Sequence, residues 1–121
     1  MFGLLTRAIV YARIRNNRIE LRRIDTRQEI VLDADEPFSH ERTLLANFTN
    51  ADRLMKKGLA QLRTFLTPVV VVHPLERLEG GLTEIEERAY QELAVGAGAA
   101  RAIVWTGHEL SDAEVAGKAA A

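Results

Sequence analysis

The sequence predicts an α/β fold in which three antiparallel strands are followed by two α-β units on one sheet. Three observations predict it. Ala8 to Ile24 alternates apolar and polar residues about the pair Asn16-Asn17, the pattern of two half-buried strands joined by a tight turn. Val69 to Val72 and Ala102 to Trp105 are unbroken β-rich runs of the kind found in strands buried on both faces. Each of those runs follows an amphipathic stretch that opens with a helix-capping residue.

The elements follow in order. Asparagine tolerates the positive φ of a two-residue hairpin turn, so pairing runs outward from Asn16-Asn17. Ile14 then faces Ile19 and Ala12 faces Leu21 on one side of the ribbon. Arg15, Arg18, Arg13, Glu20, Tyr11 and Arg22 share the other. Carried further, this register places Arg23 inside opposite Val10, so the strand is expected to end or bulge near Arg22-Arg23. Glu29 to Leu32 reads as a third strand, and Asp33 to Phe38, with three acids and Pro37, as a loop. Leu44, Leu45 and Phe48 anchor a connecting segment. Thr49 or Asn50 is placed to cap a helix running through Arg63 or Leu66, with Leu54, Met55, Leu59, Leu62, Phe65 and Leu66 as its apolar stripe. Thr67-Pro68 stops that helix. After the Val69 to Val72 strand and a loop, Thr83 and Glu86 have capping-box spacing and open a second helix with the stripe Ile85, Ala89, Tyr90, Leu93 and Ala94. Gly96 and Gly98 supply a left-handed exit. Ser111 and Glu114 repeat the capping spacing before a short last helix. The expected domain covers residues 1–115, with 116–121 a fraying tail.

Composition excludes several classes. The chain has 121 residues, 47% apolar and 27% charged, enough for one core without a metal or disulfide staple. It has no cysteine, which removes disulfide frameworks and thiolate zinc sites. Sixteen basic and seventeen acidic residues give a net charge of -1, unlike a wholly electrostatic binder of nucleic acid. The charge is polarised: residues 1–63 carry twelve basic and eight acidic side chains, and residues 64–121 carry four and nine. No stretch reaches the roughly 20 apolar residues of a membrane-spanning helix. The start, MFGLLTRAIVYARIR, lacks the order and cleavage site of a secretory signal. A cytoplasmic protein without a transmembrane segment is expected.

Tight turns among the first three strands and helical crossovers to the last two give a three-stranded antiparallel meander followed by two α-β crossover units, the ribonuclease H-like or actin-like half-domain plan. The stretch from Val69 to Trp105 also resembles a segment of the bacterial actin-like rod-shape proteins, the MreB family. In that family a buried strand leads to a Gly-x-Thr-Glu-x-Glu helix start and a Gly-Ala-Arg-like exit. Gly81, Thr83, Glu84, Glu86, Arg88, Gly98, Ala99 and Arg101 carry the likeness, with a similar Met-Phe-Gly start. The resemblance implies an actin-like domain in cell-shape or filament-associated machinery. Members of that family hold ATP between two halves through an Asp-x-Gly-Thr turn in the first hairpin. Here the turn is Arg15-Asn16-Asn17-Arg18, and Thr106-Gly107-His108-Glu109 replaces the family's glutamate-proline pair. The chain is expected to cover only one half, so a second wall for a nucleotide would be absent or lie on another polypeptide. A similar scaffold without the ATPase chemistry, and without a cofactor, is expected.

The candidate sites are few. A ribonuclease H-type nuclease needs carboxylates on the first strand and near the end of the fourth; the first strand has none, and His73-Pro74 ends the fourth. Gly80 and Gly81, before a helix N-terminus, could cradle an anion or form a plain loop. His73 and His108 both follow strands expected to be parallel, where open α/β sheets place ligands. With Glu76 or Glu109 they could form a metal or acid-base site of a nucleotide- or metal-dependent enzyme, or be ordinary strand-end histidines. His40 lies apart from both in sequence, and Trp105 and Tyr90 read as core.

Seven arginines between Arg7 and Arg27 stand against only Glu20 and Asp25. Arg13, Arg15, Arg18 and Arg22, beside Tyr11, have three readings: a solvated face with a local Arg13-Glu20 pair, a docking surface for an acidic protein or phospholipid surface, and a nucleic-acid platform. The last lacks the exposed aromatics that stack on single strands. The acidic second helix, with Glu84, Glu86, Glu87 and Glu92, and the arginine hairpin together suggest self-association. The leading expectation is a non-catalytic protein-interaction module.

Overall fold

A computed structural model describes residues 6–121. Five strands, β1 (Ile9–Arg15), β2 (Arg18–Arg23), β3 (Gln28–Asp33), β4 (Val69–Pro74) and β5 (Arg101–Val104), form one sheet, with helices α1 (Phe48–Leu62), α2 (Glu84–Val95) and α3 (Asp112–Ala120). The strand order is β3-β2-β1-β4-β5. β2 is antiparallel to β1 and to β3, whereas β4 is parallel to β1 and to β5. The antiparallel strands and the parallel half therefore share one five-stranded mixed sheet. β1 is central, and its second edge carries the parallel half.

The register expected from the turn is present, with Ile14 opposite Ile19, Ala12 opposite Leu21 and Arg13 opposite Glu20. Asn17 takes the positive φ of 53° that the turn requires. Val10 pairs with Arg23 in an unbulged ladder, and β2 ends there. The Arg23 guanidinium escapes the core by bonding the Asp25 carboxylate at 2.8 Å and the Leu62 carbonyl at 3.5 Å.

One face of the sheet carries α1 and α2 over an aliphatic core that includes Val10, Ala12, Ile14, Ile19, Leu21, Val70, Val72, Met55 and Leu93. Gly58 lets α1 approach closely, since a Cβ there would lie 2.5 Å from Leu32 Cδ1 and 2.6 Å from Leu21 Cδ1. The opposite face carries α3 over a smaller cluster of Tyr11, Val71, Leu110, Val115 and Ala119. The faces split this way because successive strand residues point to opposite sides.

Several boundaries differ from expectation. Asn47, not Thr49 or Asn50, caps α1, its side chain accepting the Asn50 N–H. α1 ends at Leu62 because Arg63 turns left-handed at φ 49° and its N–H bonds the Ala60 carbonyl. Phe65 thereby leaves the helix and is 81% exposed, and Ile85, in the first turn of α2, is 83% exposed; neither joins a core stripe. Gly96 stays right-handed, so the left-handed exit from α2 falls to Gly98 at φ 112°. Both capping boxes form, Thr83 with Glu86 and Ser111 with Glu114. Residues 116–120 are not a frayed tail: they complete α3, Ala119 is buried, and the Arg101 guanidinium bonds the Ala119 and Ala121 carbonyls. The Met-Phe-Gly start lies outside the described residues. Among the described residues, no helix is long and apolar enough to cross a membrane.

Candidate functional site

The parallel register of β1 and β4 puts Tyr11 and His73 on the α3 face, where their rings stack with centroids 5.9 Å apart. His73 is fully buried. Its Nε2 lies 3.1 Å from the Gly107 carbonyl and its Nδ1 lies 2.6 Å from the Tyr11 hydroxyl. A carbonyl only accepts, so Nε2 carries the proton and Nδ1 accepts from the Tyr11 O–H. The Tyr11 oxygen in turn accepts the Leu110 N–H at 3.1 Å. This is a closed chain: every polar atom of the pair has a partner and His73 is neutral. Burial holds the His73 imidazolium unfavourable, pulling its pKa below the usual histidine value, and pushes the Tyr11 phenol up.

His108 does not join His73. Its Nε2 pairs with the Glu114 carboxylate at 2.8 Å, and its carbonyl accepts the Trp105 indole N–H at 3.0 Å. The Ser111 N–H, followed by His108, pulls the Glu114 carboxyl down to about 2. Trp105 is half-buried and packs against the cluster under α3, with the Lys118 ammonium 3.8 Å above its ring. Glu109 faces Arg13 at 3.3 Å and Arg15 at 3.5 Å. Gly80 and Gly81 both sit at φ 78°, with Gly81 N–H bonded to the Leu78 carbonyl at 2.9 Å. They form an exposed turn in a conformation that favours glycine. Among the described residues, no group of three or more histidines and acids is placed to hold a metal ion.

The first hairpin turn, at the same edge, is densely bonded. Glu76 accepts the Asn16 N–H at 2.6 Å, and Arg77, itself left-handed at φ 58°, donates to Asn16 Oδ1 at 2.6 Å and to the Glu41 carbonyl at 3.0 Å. Asn17 N–H bonds Ser39 Oγ at 3.0 Å, while Asn17 Oδ1 accepts the N–H groups of Phe38 and Ser39.

The arginines that dominate the sequence are gathered on the α3 face, and acids surround them. Arg13 lies 3.4 Å from Glu20 and 3.3 Å from Glu29; Arg15 lies 3.1 Å from Glu20. Arg18 bonds Asp33 at 2.7 Å. Arg22 grips Asp112 with two bonds, 2.9 and 3.0 Å, and its guanidinium holds the Asp112 carboxyl below the usual carboxylate range. Glu29 and Asp33 were readable in principle, because β3 sets them opposite Arg22 and Arg18. Asp112 and the Gly107 carbonyl arrive from distant chain and have no local sequence signal.

What fold and site define together is a two-faced α/β domain whose conspicuous polar side chains bond one another. No protein-family model matches the chain. It is similar to the uncharacterized protein YjaA of Escherichia coli strain K12, 34% identical over a 99-residue alignment that covers 74% of this chain and 76% of the relative. The chain belongs to the same family as that protein.

Proposed function

We propose that this chain is a non-catalytic protein-interaction module on a ribonuclease H-like or actin-like half-domain plan, resembling the MreB rod-shape proteins and serving cell-shape or filament-associated machinery. The strand order and the two helical crossovers to β4 and β5 support the half-domain reading. The observation that carries the non-catalytic reading is the first hairpin turn. Where a nucleotide-binding relative needs free backbone amides to approach phosphate, the Asn16 N–H is bonded to the Glu76 carboxylate at 2.6 Å. A carboxylate in that place both occupies the donor and repels an incoming phosphate.

The interaction surface shifts with the pairing of the arginines. The hairpin offers few free cations to an acidic protein, a phospholipid surface or a nucleic acid. Unpaired charge lies instead on the outer face of α1 and α2. Titration of the full chain with ATP and magnesium, and separately with zinc, followed by amide NMR shifts, tests the reading. The expected result is no saturable shift; saturable shifts confined to residues 73–83 and 106–112 would replace it with a nucleotide- or metal-dependent enzyme.

A further inference from the structure

Arg53, Lys56, Lys57 and Arg63 stand against Asp52 alone over α1 and its cap, a net charge of +3, whereas Glu84, Glu86, Glu87 and Glu92 stand against Arg88 over α2, a net charge of -3. Among the described residues, the side chains of Arg53, Lys57, Arg63, Glu84, Glu87 and Glu92 have no ion-pair or hydrogen-bond partner, in contrast to the hairpin arginines. α1 and α2 lie side by side on one face of the sheet. Each crosses back between parallel strands, α1 from β3 to β4 and α2 from β4 to β5, so the two run in the same direction. Exposed apolar residues flank the charged crests: Ile85 (83%) and Val95 (46%) at the two ends of α2, and Phe65 (81%) beyond the end of α1. Phe65 borders an open groove of about 290 Å³ with Lys56, Leu59, Ala60 and Pro68.

We infer that the outer face of α1 and α2 is a self-complementary docking surface for a second copy of this chain, with α1 of each copy resting on α2 of the other. A two-fold axis running along the helices, between them, produces this arrangement. It brings a basic crest onto an acidic crest twice and places the apolar helix ends within the same contact. The inference rests on the interaction-module reading above and names its partner. Asp35 and Glu36 border Arg53 and Lys57 in a shallow groove without pairing to them. They weaken the local positive field, so the dimer is a dissociable one and strongly salt-dependent.

Sedimentation velocity on the full chain tests it. The wild type is expected to dimerise at low salt and to dissociate as salt is added. R53E/K57E, acidic on both helices, and E84K/E92K, basic on both, should each associate at least about tenfold more weakly. Their equimolar mixture should recover a heterodimer, since each acidic crest then meets a basic one. Circular dichroism checks that both variants are folded. A wild type that stays monomeric in low salt at the highest concentration reached, or a mixture no tighter than its separate components, overturns the inference. A monomer that is silent in the ATP and zinc titrations overturns the dimer alone, whereas saturable nucleotide shifts overturn the interaction reading whatever the mass.

Discussion

The two faces of the sheet are stabilised by different physics. Under α1 and α2, Val10, Ala12, Ile14, Ile19, Leu21, Val70 and Val72 are nearly solvent-free and belong to one apolar cluster. Under and beside α3, the same strands present Tyr11, Arg13, Arg15, Arg22 and His73, whose bonds have fixed donors and acceptors. The first face gains from area removed from water, with no directional requirement. The second gains little net energy per contact but fixes where α3 and the 105–111 loop sit. Strand alternation makes one sheet serve both, so stability and positioning separate by face.

The sharpest way to break the aliphatic face is a cavity. Leu21, 1% exposed, lies beneath Gly58 of α1 and within the aliphatic cluster. Leu21→Ala should cost about 2–5 kcal/mol, the usual range for a buried leucine whose site collapses incompletely. The midpoint of urea unfolding measures it. A loss well under that range would mean that the aliphatic face is not the main source of stability.

The two faces were unequally legible in the sequence. The aliphatic one is written in local pattern: Asn16-Asn17 set the hairpin register, and the Val69 to Val72 run marked a strand buried on both sides. Local pattern misled at helix ends and at β5, which is an edge strand and only partly buried rather than buried on both faces. Phe65 and Ile85 have the right spacing, but one follows the left-handed turn at Arg63 and the other stands exposed in the first turn of α2. The polar face depends on contacts across long stretches of chain. Arg22 and Asp112 are 90 residues apart, and Tyr11 and Leu110 are 99 apart. An arginine-rich strand reads as a free cationic surface until the partners from β3 and α3 are placed on it. Likewise His73, followed by a proline, reads as a possible ligand until its two nitrogens are seen to be occupied.

A medium effect is expected from cutting the buried chain on the α3 face. Tyr11→Phe leaves His73 Nδ1 and the Leu110 N–H without their partner, which should cost about 1–3 kcal/mol. The same site sets a pH dependence. Because burial lowers the His73 pKa in the folded state, the unfolded chain binds this proton first as pH falls. The contribution is therefore complete above the ordinary histidine value of about 6.5 and is lost as pH falls below it. Thermal unfolding at about pH 7.5 and about pH 5.5 should show a decline that His73→Gln reduces. An unchanged slope in that variant would assign the decline to other groups.

The smallest effect should come from the ion pairs, and it should carry a different signature. Arg22 and Asp112 remain 25% and 37% exposed at the side chain, so water and salt screen their attraction, and the cost of ordering both side chains offsets part of it. Arg22→Gln should lower the unfolding temperature by less than Tyr11→Phe does, and the difference should shrink further in high salt, which leaves the Leu21→Ala and Tyr11→Phe losses in place. The pair joins β2 to the first turn of α3, where Asp112 also faces the positive end of the helix. Its removal should therefore speed amide exchange locally in residues 111–116 more than it changes global unfolding. If exchange quickens equally throughout the sheet, the charged face contributes to global stability as the aliphatic face does, and the division between the two faces fails.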